Sequence, residues 1–532
     1  MRSVRPLAVT AALSLLVVSS VAFAGEPKQG GILRMYHRDS PGSASIHEGS
    51  SNSVNVPFMS IFNNLVVYKQ DVAQNSMDSI VPDLAESWAW SGDNKTLTFK
   101  LRQGVKWHDG KPFTSADVKC TFDMVMGKSQ QKFRQNPRKV WYQQVDDITT
   151  NGDFEVSFNL KRPQPSLLAL LASGYSPVYP CHVSPAEMRT HPVGTGPFKF
   201  VEFKANESIK LTRNPDYWKK GRPYLDGIEF TIIPNRSTAL LAFVAGRFDA
   251  TFPTDVSIAQ LKDMKSQAPD AVCVVEPNNV SSNIIVNSSA PPFDNPDIRH
   301  AMALALDRKA FVSILYEGQA DIGGAMLPPP AGLWGMPKEM LETILGYGPD
   351  VNANREAARQ LMQKAGYGPD KHLAIKVSTR NIPIYRDPAV ILIDQLKSIY
   401  IDGELDVVET ANWFPKIARK DYMLGLNLTG NAVDDPDQSF YENYSCGSER
   451  NYTNYCNKDI EKLFNEQSQE TDTNKRKKLV WEIDKKLQED VARPIIYYSR
   501  TGSCRQPYVK GMTIMSNSTY NGYRYEDVWL DK

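Results

Sequence analysis

The chain has 532 residues, 61 basic against 60 acidic side chains, a formal net charge of +1 and 41% hydrophobic residues. That length exceeds what one hydrophobic core fills, so at least two domains are expected. The balanced charge gives no reason to expect a nucleic-acid or anionic-membrane partner, and no later apolar run reaches the roughly 20 residues of a spanning helix.

Residues 1–24 read as an export signal. Arg2 and Arg5 precede an uncharged apolar run from Leu7 to Val21, and Ala22-Phe23-Ala24 forms a small-residue cleavage motif. Removal after Ala24 is expected, and Gly25 in place of a cysteine predicts no lipid anchor and a free periplasmic protein. Export exposes the six cysteines to an oxidising compartment. Cys446 and Cys456 bracket the polar loop CGSERNYTNYC and are the first candidates for a disulfide; a zinc site would want CxxC spacing or a nearby histidine.

Further along, GGILRMYH (30–37) predicts a strand, the polar run 38–55 a loop and PFMSIFNN (57–64) a helix. Leu97, Phe99 and Leu101 alternate with Thr96, Thr98 and Lys100, the pattern of a half-buried strand. Ser115 is placed to cap a helix starting at Ala116. In GVKWHDGKP the glycine spacing and the proline do not fit a phosphate loop, and Asp109-Gly110 predicts a turn. The basic, aromatic stretch KSQQKFRQNPRKVWYQQV could suggest nucleic acid, but export argues against it. Strand FEVSFNL and helix PSLLALLAS close a subdomain near Pro192.

Gly194-Thr195-Gly196-Pro197 predicts a turn whose glycines adopt unusual dihedrals. Three strands should follow, carrying Phe198, Phe200 and Phe203, then Ile209 and Leu211, then Ile228, Phe230 and Ile232. Ser237 is the expected cap of the next helix, Gly246 its stop and Phe248-Asp249-Ala250 a further strand, making a βαβ unit. Val272–Glu276 predicts a strand leading to a hinge at Pro277-Asn278-Asn279.

Beyond the hinge, Asp294 or Asn295 should cap a helix with Pro296 at its first position, on which His300 is expected to be a surface residue. A second helix should run from Asn354 to Gly366. LAIKVSTRNIPIYRD, AVILIDQLKSIY and LDVVET make a second βαβ unit and YMLGLNLTG another strand. Two helices follow, then the strand ARPIIYYSR. Alternation of this kind predicts an α/β lobe with ligand contacts at strand ends.

GTGPF, the NPDYW that follows and the block IEFTIIPNRSTALLAFVAGRFDA together resemble the family-5 extracellular solute-binding proteins, the peptide and dipeptide receptors of bacterial ABC importers. The resemblance runs through nearly all of the chain after residue 24. It implies an α/β, two-lobed periplasmic binding protein-like fold (class II type) with an extra small subdomain in the first lobe. Lobe I would comprise 25–57, 191–275 and 500–532, the subdomain 58–190 and lobe II 276–499.

It also implies ligand neighbours. Tyr36, Ser40 and Ser43 would reach the cleft, as would Trp141 or Tyr142. Arg380, just after a lobe II strand, would take a ligand carboxylate, with Tyr385, Trp413 and Asn431 on the same side. One position departs from the pattern. The aspartate that takes the ligand ammonium should stand four residues before Pro436, where this chain has Ala432, and a methyl group cannot offset the several kcal/mol of desolvating an unpaired ammonium. Either Asp434 substitutes for it, or the solute is an organic acid or modified peptide with no free amine.

No nucleophile elbow, zinc-protease or phosphate-loop motif occurs, so no catalytic residue, cofactor or metal is expected and a secreted hydrolase has little support. The function implied is a monomeric receptor that closes on a small solute and delivers it to ABC permease subunits in the inner membrane, without nucleic-acid contact. A receptor for a metal or metallophore complex of the nickel type is the alternative.

Overall fold

The computed structural model describes residues 26–532, so the stretch expected to be a signal peptide lies outside the described residues. Among these, no helix is long and apolar enough to cross a membrane.

Two mixed sheets carry the two lobes. In the first, Ile32–His37 pairs in parallel with Gly227–Ile232, which continues antiparallel to Ser208–Arg213 and Phe198–Lys204. In the second, Leu373–Arg380 lies parallel to both Ile401–Val408 and Leu424–Gly430, and the long antiparallel pair Val272–Val286 and Ile495–Arg505 completes it. A third, antiparallel sheet (Ala85–Trp90, Thr96–Leu101, Glu155–Leu160, Val145–Thr150) forms the subdomain, with the helix Ser115–Met126 packed on it.

The long pair joins the lobes. Residues 272–277 pair with 500–505 at one end and residues 281–283 with 495–498 at the other, and the register shifts between Pro277 and Ser281. A bulge bends a strand and locally breaks its ladder, and this one falls at the residues the sequence suggested as a hinge.

Several local expectations need correction. The Gly194 and Gly196 backbones are not in the left-handed region. What requires glycine is proximity: a Cβ at Gly194 would lie 1.9 Å from the Ile61 carbonyl oxygen, and one at Gly196 2.5 Å from backbone atoms of Ser60 and Ile61. The helix expected at 57–64 is Asn52–Phe58 followed by a short 3-10 turn, Met59–Ile61. Its polar residues misled the pattern because they are buried: Asn52 and Asn55 donate to Thr519 and Tyr520 of the carboxyl-terminal segment. Helix caps fall one to four residues earlier than expected, at Thr114, Asn235 and Asp350; the Asn235 and Asp350 side chains accept from the N3 amides of Thr238 and Ala353, and the Thr114 amide donates to the N3 side chain, Asp117. Asn295 does cap the helix that opens with Pro296.

All six cysteines are bonded, Cys120 with Cys181, Cys273 with Cys504 and Cys446 with Cys456. The second bond joins the two ribbon strands and spans 231 residues, against 10 for the third. Loop-closure entropy grows with span, so replacing Cys273 and Cys504 by serine should cost about 3–5 kcal/mol, more than the same change at Cys446 and Cys456. Thermal melting of the two double variants under oxidising conditions measures the difference.

Candidate functional site

The carboxyl ends of parallel strands from the two lobes meet. Arg380 is the last residue of Leu373–Arg380, Asp39 lies just past Ile32–His37, and Thr410 opens the helix that follows Ile401–Val408. Arg380 is fully buried. Its Nη2 donates to Asp39 Oδ2 at 2.5 Å and its Nη1 to the Tyr385 hydroxyl at 2.9 Å. Ser53 donates to the other Asp39 oxygen at 2.7 Å, and the Thr410 hydroxyl also donates to the carboxylate. Burial pushes the Asp39 carboxyl up, but the Arg380 charge, joined by His37, Arg38 and the Thr410 hydroxyl, outweighs it and holds the group well below the ordinary carboxylate range.

Around this pair lies a cavity of about 30 Å³ lined by Arg38, Asn278, Arg380, Tyr385 and Tyr520 among others. That is room for about two water molecules, so the lobes are closed on each other. Arg38 and Arg236 share Asp255 at 3.7 Å each, and Asp255 accepts a hydrogen bond from Tyr36. Burial raises the Asp255 carboxyl despite the two guanidinium groups. Deeper in, Arg138 and Arg450 share Glu442. In these three clusters five buried or nearly buried guanidinium groups share three carboxylates.

The candidate residues divide. Arg380 and Tyr385 line the same cavity, and Tyr36 approaches it through Asp255. Ser43 lines a neighbouring cavity of about 50 Å³ with Glu48, Thr410 and Phe414. Trp141 is buried and donates its indole N–H to Glu442 at 2.9 Å. Asn431 meets the ribbon, its carbonyl accepting from Asn279 Nδ2 at 2.7 Å. Three others point elsewhere. The Ser40 hydroxyl accepts from the Asn206 amide, Tyr142 bonds Ser176 within the subdomain, and Trp413 is packed among Ile285, Ile417, Tyr422 and Tyr452.

Asp434 lines a separate cavity of about 350 Å³ with Tyr68, Trp334 and Arg476, accepting from Asn517 Nδ2 at 3.3 Å. Burial pushes its carboxyl up to about 6. Its neighbour Asp435 caps the helix Pro436–Tyr444 and pairs bidentately with Arg476 at 2.8 Å. Ala432 is fully buried, its amide donating to Gln438 Oε1 and its carbonyl accepting from Asn521. Among the described residues no three histidine, cysteine, aspartate or glutamate side chains converge as metal ligands.

Sequence reasoning missed Arg38, Asp39, Asp255 and the carboxyl-terminal Tyr520. The signal for the first two was available: a charged pair at the carboxyl end of a parallel strand, between the candidates Tyr36 and Ser40. Tyr520 carried none, since only the tertiary path of the last segment brings it to the cleft.

Known proteins agree with this architecture. The family model for bacterial extracellular solute-binding proteins, family 5 (middle region), matches residues 79–451. The oligopeptide-binding protein AppA of Bacillus subtilis is 26% identical over 84% of this chain and 83% of its own length, and the dipeptide-binding protein of Escherichia coli 25% identical over 85% and 86%. The periplasmic binding protein DppA of Helicobacter pylori, solved with the peptide STSA, superposes with a TM-score of 0.82 at 23% identity, covering 95% of this chain and 99% of that one. The chain belongs to family 5 of the bacterial extracellular solute-binding proteins.

Proposed function

We propose that this receptor captures a carboxylate-bearing solute without a free α-amine between its lobes and passes it, chemically unchanged, to the permease of an ABC importer. The observation that carries the reading is the charge balance of the clusters around the cleft: five guanidinium groups share three carboxylates there, and the position that would pair an ammonium is Ala432. Buried charges are tolerable only when paired, so the surplus favours an anion and disfavours a cation. Arg380 and Arg38, side by side on the cavity wall, are the proposed carboxylate receptors, with Tyr385, Tyr36, Trp141 and Asn431 around them.

In this reading residues 25–57, 191–275 and 500–532 form lobe I, 58–190 the subdomain and 276–499 lobe II, and the ribbon bends near Pro277–Ser281 to admit the solute. The protein acts in the periplasm as a monomer after removal of residues 1–24. Asp39 then has two roles, holding Arg380 when the lobes meet and yielding part of its fork to the incoming carboxylate.

A thermal-shift comparison of Ala-Ala with N-acetyl-Ala-Ala tests the solute class. Stabilisation by the acetylated peptide and little by the free one is expected; the opposite order rejects the reading. Asp39→Ala leaves a buried guanidinium unpaired, at a cost of about 3–5 kcal/mol. It should lower the melting temperature and enlarge the radius of gyration by small-angle scattering.

Acid should act in the same direction. His37 is buried at 3.6 Å from Asp39, and burial lowers its imidazole to about 4 from an ordinary 6.5. Between those values the unfolded chain takes up a proton that the folded one refuses, so this contribution to stability falls as pH drops from 6.5 towards 4. The Asp39 carboxylate, depressed by Arg380, adds a further loss below about 4. The melting temperature of His37→Gln should depend less steeply on pH over the upper window than that of the parent.

A further inference from the structure

Five arginines are essentially fully buried: Arg138, Arg380, Arg450, Arg493 and Arg524. Four of them donate hydrogen bonds to protein acceptors, Arg380 to Asp39, Arg450 to Glu442, Arg493 to Asn443 and Arg524 to Asp83. Arg138 does not. Its Nε, Nη1 and Nη2 all lack a hydrogen-bond partner among the described residues.

Its one ionic neighbour, Glu442, lies at 3.7 Å without a hydrogen bond. That carboxylate is already engaged, by Arg450, by the Trp141 indole N–H and by Gln438. The Arg138 guanidinium lies over the Tyr175 ring, 3.7 Å from its centroid, which supports its face and leaves its N–H edge uncommitted. The Tyr175 hydroxyl is likewise buried without a partner among the described residues. A buried guanidinium with all its donors unused is costly, and in a native protein it calls for a partner.

The place of Arg138 identifies that partner. Tyr175 packs against Tyr520 with the rings tilted and their centroids 4.9 Å apart, and Tyr520 lines the cavity that holds Arg38 and Arg380. From the other side, Gln438 bonds Glu442 through its amide nitrogen and the Ala432 amide through its oxygen. Arg138 is therefore linked, through Glu442 and Gln438, to the position where the family resemblance implies an ammonium receptor, and it brings a positive charge to that end of the cleft. It belongs to the subdomain, whereas Glu442, Gln438 and Ala432 belong to the opposite lobe, so closure brings them together.

We propose that Arg138 binds a second anionic group of the solute, at the end opposite the carboxylate held by Arg38 and Arg380, so that the natural solute is a dianion such as an N-acylated peptide with an acidic cap. The inference rests on the reading of the cleft as a site for amine-free carboxylates. The acidic group accepts from the Arg138 fork and the Tyr175 hydroxyl, and a free amino terminus at this end meets like charge.

Isothermal titration calorimetry of the full mature protein with Ala-Ala, N-acetyl-Ala-Ala and N-succinyl-Ala-Ala tests it. These share a core and differ at one end in charge: positive, neutral and negative. The succinyl peptide should bind about tenfold more tightly than the acetyl peptide, and Arg138→Gln should remove that preference while leaving acetyl binding in place. Equal affinity for succinyl and acetyl peptides overturns this proposal and spares the broader reading; tightest binding of free Ala-Ala, or binding of none of the three, overturns both. A readout independent of ligand is the melting temperature. Arg138→Gln should melt at or above the parent, because it removes a buried charge whose N–H donors have no acceptor among the described residues. A drop of several degrees with unchanged discrimination would instead mean that Arg138 serves the fold.

Discussion

The closed arrangement of the two lobes depends on one charge pair removed from water. Asp39 and Arg380 come from different lobes, each at the carboxyl end of a parallel strand, and neither is tolerable alone where it sits. Ser53, Thr410 and Tyr385 complete the shell around them. With the lobes in contact, each ion of the pair depends on the other. In the proposed mechanism, an anion arriving at Arg38 and Arg380 competes for donors that already have an acceptor, which links occupancy of the site to the balance between open and closed states.

In the proposed function the same interface selects by charge. Ordinary dipeptides carry both signs, and a cleft built for them needs carboxylates as well as arginines. Here the positive side is over-supplied and the acid expected before Pro436 is absent, while Asp434, the obvious substitute, looks into another cavity and is bonded to Asn517. Its carboxyl, raised to about 6 by burial, is also partly neutral near that pH. Discrimination of this kind works as much by refusing an ammonium as by attracting a carboxylate.

Much of this was legible in the residues, and the failures have physical causes. Strand periodicity identified the sheet elements because apolar alternation reports burial on one face, as at Leu97, Phe99 and Leu101. The family strings gave the two-lobed fold, and the strand end at Arg380 gave one wall of the cavity. The polar run before Phe58 looked like a surface loop because composition cannot distinguish polar groups facing water from polar groups satisfied inside an interface. Gly194 and Gly196 were understood as turn glycines when what they permit is contact with the Ile61 backbone. Arg138 sat in a basic, aromatic stretch whose pattern suggested nucleic-acid contact, and only the tertiary structure shows its guanidinium buried against Tyr175.

The bond between Cys273 and Cys504 has a topological effect besides its energetic one. It closes the long excursion through the far lobe into a covalent ring. A protease that nicks any exposed loop within that ring leaves both fragments tethered at its neck, so in an oxidising environment the receptor can suffer a backbone cut and still hold its parts in place.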